Sequence, residues 1–192
     1  PADKFTLDMR VTVPDTLYGG RPLFVVSNGS LVSTVVGGGT RTYHWHESYP
    51  LTTYLVSICC TNYQAASGTY TALDTVTTME VAHHVYPENF ASEGGEVPNT
   101  ITVMEFFADT FGEYPFLSEK YWTATHGSGS GMEHQTATSM PALNLATPFH
   151  RRNIHELAHS WFGDLITNEH FDHLWIQEGW ATYCEALFYG FQ

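Results

Sequence analysis

The chain is expected to be α+β, with an antiparallel β part followed by a part in which helices alternate with short strands. Three observations predict this. Up to residue 87, short runs alternate apolar and polar residues, the period of half-buried strands. Beyond residue 98, apolar residues recur at the three- and four-residue spacing of helices. Between them, residues 88–98 are rich in Glu, Gly and Asn and read as a junction. The expected units are therefore 1–87 and 88–192.

Each element has its own signal. Phe5, Leu7, Met9, Val11 and Val13 alternate with polar residues until Pro14 stops the run. Phe24-Val25-Val26 runs into the turn signal Ser27-Asn28-Gly29, and Leu31-Val32 resumes. Gly37-Gly38-Gly39 breaks the chain before Tyr43-His44-Trp45-His46. Thr53 to Ile58 is strand-like in its β-branched and aromatic content, and Val76 to Tyr86 is extended until Pro87. Short strands at this spacing imply an antiparallel sheet or sandwich. His44 and His46 share a strand face, whereas His83 and His84 point to opposite faces. With no third ligand beside either pair, all four are read as structural.

Ile101, Met104, Phe107, Ala108 and Phe111 define a helix with Pro98 in its first turn and Gly112 at its end. Lys120 to Thr125 reads as a strand. Gly127 to Thr136 is glycine-rich; on its residues alone it is a flexible hairpin loop with Glu133 as an exposed acid. Thr147 and Pro148 suit the N-cap and first residue of a helix through Ile154, Leu157, Ala158, Trp161 and Phe162, stopping near Gly163-Asp164. Asp172 is expected to cap a last helix that ends at Gly190.

Composition narrows the function classes. Hydrophobic residues make up 43% and aromatic ones 15% of 192 residues, enough for a packed globular protein. Seven basic against twenty acidic residues leave a net charge of −13, which argues against nucleic acid or an anionic membrane as partner and suits substrates with a free amino group. No apolar run approaches the roughly 20 residues of a spanning helix. Cys59, Cys60 and Cys184 lack a paired-scaffold spacing and read as buried small hydrophobes. The acidic balance and scarce lysine lean toward a soluble, secreted or periplasmic protein. A start at Pro1, without an initiator Met, suggests an excised piece.

The chemistry centres on His155-Glu156-Leu157-Ala158-His159, followed by Glu178. Histidines four apart project from one helix face, one turn apart. A catalytic zinc takes three protein ligands and keeps a position open; His155, His159 and Glu178 supply the three for one Zn2+ per chain. Glu156, one residue past the first ligand, is placed to reach the attacking water rather than the metal, as general base. Ligand imidazoles usually donate their other N–H to an acid; Glu185 is the first candidate, with Asp172 and Asp164 weaker ones.

These motifs, His155 to Asp164 and Asp172 to Gly179, resemble the gluzincin zinc aminopeptidases, relatives of aminopeptidase N and leukotriene hydrolase. Ser130-Gly131-Met132-Glu133-His134 stands where that family has its Gly-x-Met-Glu-Asn loop, with Ser130 and His134 as departures. Ala2 to Thr6 looks like the start of a family strand, so the resemblance covers nearly the whole chain. It implies that residues 1–87 are the C-terminal part of an N-terminal β domain, and that 88–192 begin a thermolysin-like catalytic domain, incomplete at its C-terminus. It also implies peptide substrates with a free N-terminus. Glu133 would bind the substrate α-amino group, with Gly131 and Met132 lending backbone contacts. The family's intermediate-stabilising Tyr and an upstream amino-group contact would lie in remaining parts of the parent protein. Two alternatives stand beside this reading: a zinc endopeptidase of the same clan, and a non-catalytic binding module.

Overall fold

The computed structural model describes residues 3–127, 129–142 and 148–191. Its first layer is the three-stranded antiparallel sheet that the N-terminal alternation predicts. Strand β1 (Lys4–Pro14) pairs with the long β6 (Thr40–Thr52), which also pairs with β5 (Ser30–Gly37). The short hairpin β2 (Leu17–Tyr18) and β3 (Arg21–Pro22) precedes β4 (Phe24–Ser27), which pairs with β7 (Ile58–Thr61). Val13, Val25, Tyr43 and Trp45 fill the core of this part.

Thr53 to Ile58 is not a strand. Thr53–Leu55 is a 3-10 turn, and β7 starts at Ile58. A side chain takes the place of the strand partner here: Asn28 donates to Leu55 O at 2.9 Å and accepts from Ser57 N at 2.7 Å. Cys60 is exposed, because β7 turns alternate residues outward.

The second layer is a four-stranded sheet built from both sides of residue 87. Strand β8 (Gln64–Thr71) runs antiparallel to β9 (Thr78–Val85), which is parallel to β10 (Tyr121–His126), itself parallel to β11 (Ala137–Pro141). Parallel neighbours need a crossover, and between β9 and β10 it carries a short helix α1 (Phe90–Glu93) and the longer α2 (Val97–Phe111). Gly112, at φ +97, ends α2 in a backbone conformation that side chains rarely adopt. Helices α3 (Arg151–Ala158) and α4 (Trp175–Phe191) complete the unit. Tyr70, Val81, Phe107, Tyr121, Leu157 and Phe188 belong to one buried core between sheet and helices.

The helix ends differ from expectation. Pro148 lies in a turn, and α3 starts at Arg151 with His150 as N-cap, its side chain accepting from Arg152 N at 3.2 Å. The expected cap Thr147 lies outside the described residues. Helix α3 also stops at Ala158 rather than Gly163. Beyond it the chain makes wide turns, with Asp164 N bonding His159 O and Leu165 N bonding Ser160 O across five residues. Asp172 sits exposed in the 3-10 turn Phe171–His173 and does not cap α4. Gly190 lies inside the last turn of α4, which runs to Phe191.

Candidate metal centre

His155 lies in the last turn of α3, and His159 is its C-cap. Ile154, Leu157 and Ala158 hold the opposite stripe of the helix in the core, so the two rings are turned out of that stripe together. The rings meet edge to face with centroids 4.7 Å apart. Helix α4 packs against α3 and brings Glu178, in its first turn, to both rings. Glu178 Oε2 is 3.1 Å from His155 Nε2 and 3.7 Å from His159 Nε2.

The tautomers follow from the other ring atoms. His155 Nδ1 lies 2.7 Å from Glu185 Oε1, and His159 Nδ1 lies 2.9 Å from the carbonyl of Phe162. Both partners accept, so both Nδ1 atoms carry the proton and both Nε2 lone pairs face the Glu178 carboxylate. Two ring nitrogens and a carboxylate oxygen converging on one point can hold a cation. One donor atom from each of His155, His159 and Glu178 lies within 4.8 Å of the others, and two imidazoles with one carboxylate suit zinc. Arg151 holds the second oxygen of Glu185, which fixes that carboxylate beneath His155. Asp172 is exposed in its turn, and Asp164 is buried with Oδ1 lacking a hydrogen bond in the structure.

Glu156 and Glu133 face the same space. Donor atoms of Glu133, Glu156 and His159 also lie within 4.8 Å of one another, so the two carboxylates crowd a single ring. Burial pushes the Glu156 carboxyl up to about 8; the charges of Glu133 and Glu178 add to this, and His155 opposes it. Glu133 is 7% exposed rather than the exposed loop acid expected on residues alone. The loop after β10 doubles back along β11, where Met132 and Ser139 exchange both backbone hydrogen bonds. That ladder turns Glu133 inward. It also occupies both backbone groups of Met132. At Gly131 a Cβ would come 2.1 Å from Glu156 Oε1, so glycine leaves that carboxylate its place.

A cleft of about 440 Å3 adjoins Glu156 and His155, lined also by Ser130, His150, Arg151, Arg152 and Glu185. Tyr54 was not singled out by the sequence. It reaches from the β part to donate to Gln177 Oε1 at 3.0 Å, next to Glu178. Its only advance signal was aromatic content in a segment that read as a strand. On the outer side of Glu178, Trp175 and Trp180 are exposed, and Trp180 stacks on Phe162 with centroids 5.0 Å apart.

The chain is similar to known proteins along nearly its whole length. The model of the peptidase family M1 domain matches residues 96–191. Leucine aminopeptidase 2 of Vanderwaltozyma polyspora is 30% identical over 202 residues, covering 96% of this chain and 26% of its own length. Aminopeptidase M1-C of Oryza sativa subsp. japonica is 27% identical over 201 residues, covering 97% and 21%. The chain thus spans about a quarter of the length of such relatives. Among solved structures, the M1 zinc metallopeptidase from Deinococcus radiodurans superposes with a TM-score of 0.84 at 25% identity, over 98% of this chain and 41% of that one. A mutant of that enzyme bound to a Tyr-Ser-Ala substrate superposes with a TM-score of 0.80 at 26% identity, over the same shares. With half of its length matched by the family model, and with these relatives, the chain belongs to peptidase family M1.

Proposed function

We propose that this chain carries the metal- and base-bearing part of a zinc aminopeptidase, which removes the first residue from peptides with a free N-terminus. The observation that carries the reading is the convergence of His155, His159 and Glu178 beside two buried carboxylates, Glu156 and Glu133. When bound by the three ligands, zinc supplies a Lewis acid for the attack of water on a carbonyl.

The chain's own groups do the rest. Glu185 and the Phe162 carbonyl keep both ligand rings in the Nδ1–H tautomer and hold their orientation. Glu156 accepts the proton of the attacking water and returns it to the leaving amine nitrogen. Glu133 pairs with the substrate ammonium, which relieves its repulsion with Glu156 and sets the scissile bond one residue from the chain end. Gly131 is the member of the Gly131-Met132 pair left to meet the substrate backbone.

The test uses the full-length protein. Free aminoacyl and N-acetylated peptides are compared in the wild type and in Glu133→Ala. Rapid cleavage of the blocked peptide, unchanged by Glu133→Ala, would point to an endopeptidase. Zinc at full occupancy without hydrolysis of any free-amino substrate would point to a non-catalytic module.

A further inference from the structure

Gln135-Thr136 follows Glu133 by two residues and has no regular secondary structure to hold it. Thr136 sits at φ +59, a left-handed conformation that a β-branched residue adopts only under constraint. Backbone bonds from Ala137 N to His134 O at 2.9 Å and from Trp122 N to Thr136 O at 3.1 Å hold the bend locally, and contacts from the β part add to them. Asn28 donates to Gln135 O at 2.6 Å, and Gly29 N donates to Thr136 Oγ1 at 2.7 Å. The Thr136 hydroxyl in turn donates to Glu47 Oε2 at 3.1 Å.

The turn that grips the loop is itself fixed. Lys120, fully enclosed where β10 begins, donates to Ser27 O at 2.9 Å and to Gly29 O, and lies over the rings of Trp45 and Trp122. Asn28 uses its carbonyl on Ser57 N and its amide on Leu55 O and Gln135 O, so every polar atom of that buried side chain is engaged. Gly29 admits no replacement, since a Cβ there would lie 2.0 Å from the backbone oxygen of His46. The side-chain amide of Gln135 is buried without a hydrogen bond, so the loop depends on these few contacts, and releasing one leaves further buried groups unpaired.

We propose that the Ser27–Gly29 turn, braced by Lys120 and Glu47, is a positioning device for Glu133: it holds Gln135-Thr136 in the strained bend and so sets where that carboxylate points. Asn28, Thr136, Lys120 and Glu47 are positioning residues; they touch no substrate. The inference rests on the reading of Glu133 as the ammonium-binding group. Its consequence is that selectivity for a free amino end is set partly in the β part of the chain.

The experiment measures, by calorimetry on the zinc-loaded full-length protein, the Kd of an amino-acid hydroxamate and of the same hydroxamate lacking the amino group. Both compounds bind zinc, so both are measurable, and their Kd ratio reports the amine contact alone. Because both are titrated on one preparation, a partly unfolded variant does not alter the ratio. Thr136→Val, which keeps the shape and removes the hydroxyl, is expected to shrink the amine preference about tenfold. Thr136→Ser, which restores the hydroxyl, is expected to keep the preference within about twofold of wild type. Should Thr136→Val fail to fold, Asn28→Asp, which loses both N–H donors, carries the same expectation. A preference lost in Glu133→Ala but intact in Thr136→Val overturns the positioning role. A preference intact in Glu133→Ala overturns the reading of Glu133 and the inference with it.

Discussion

Glu156 and Glu185 sit on either side of His155, yet their environments give them different work. Glu156 is buried against other carboxylates, which raises its affinity for a proton, whereas Glu185 is held by Arg151 and the His155 ring. Replacing Glu156 by Gln removes the proton carrier and leaves the three ligands. Zinc content by atomic absorption is therefore expected to stay at one per chain while kcat falls about 10³-fold. If metal content fell with activity, Glu156 would be a ligand-supporting group rather than the base. Glu185→Gln is expected to act in the opposite manner, weakening zinc affinity roughly 10- to 100-fold in a chelator competition. A variant with wild-type affinity would show that Phe162, Glu178 and the helix suffice to orient the rings.

The pairing of His155 with His159 on one helix face was legible because their spacing is a consequence of helix geometry. Glu133 was not legible on its own residues, since its burial depends on the Met132–Ser139 pairing, a contact between a loop and a strand edge that no local period announces. Tyr54 was hidden for a related reason. Its β-branched neighbours suggested a strand, and the side chain of Asn28, distant in sequence, converted that segment into a turn.

Among the elements, β9 shows how a strand read correctly in outline still hides its chemistry. His83 and His84 do point to opposite faces, His83 toward Thr100 at 3.0 Å and His84 into a stack with Phe24 and Trp122. Burial lowers His83 to about 3, with His84 adding, and burial lowers His84 to about 4, with Lys120 adding. Folded, both rings stay neutral; unfolded, they take a proton near pH 6.5. The unfolded state thus binds more protons below that pH, and stability falls as pH drops from about 6.5 toward 4, by about 1.4 kcal/mol per unit for each ring. Urea midpoints at pH 7 and pH 5 check this. His84→Gln is expected to flatten the slope, and an unchanged slope would assign the acid loss to other groups. The helix ends were the least legible part of the elements. Helix α3 ends early because His159 turns its ring Nδ1 back to the Phe162 carbonyl, and the backbone then follows the wide turns to Ile166.

At the scale of the whole molecule, the expected division at residue 87 followed a change in composition, whereas hydrogen bonding follows a different line. Strands β8 and β9 precede that residue and share a sheet with β10 and β11 beyond it. We propose that the catalytic unit begins near Gln64, and that the three-stranded sheet with the β4–β7 pair is the other unit. Hydrogen exchange tests this: amides of β9 are expected to open together with those of β10, and separately from those of β1 and β6. Shared protection of β9 with β6 would favour the boundary at 87. The α+β class itself was visible in the change of period from two to between three and four. The mixed pairing was not, because parallel and antiparallel strands of four to eight buried residues read alike.

The row of aromatic side chains beside Glu178 gives the protein an optical handle. Trp45 and Trp161 are buried at 1% and 3% exposure, while Trp175 is 64% and Trp180 39% exposed. Indole emission shifts to longer wavelength in water, so the red edge of the spectrum belongs mainly to the two residues flanking Glu178. Whatever covers that face, whether a peptide or a further stretch of protein, would be seen as a blue shift of that component, without a label and without turnover.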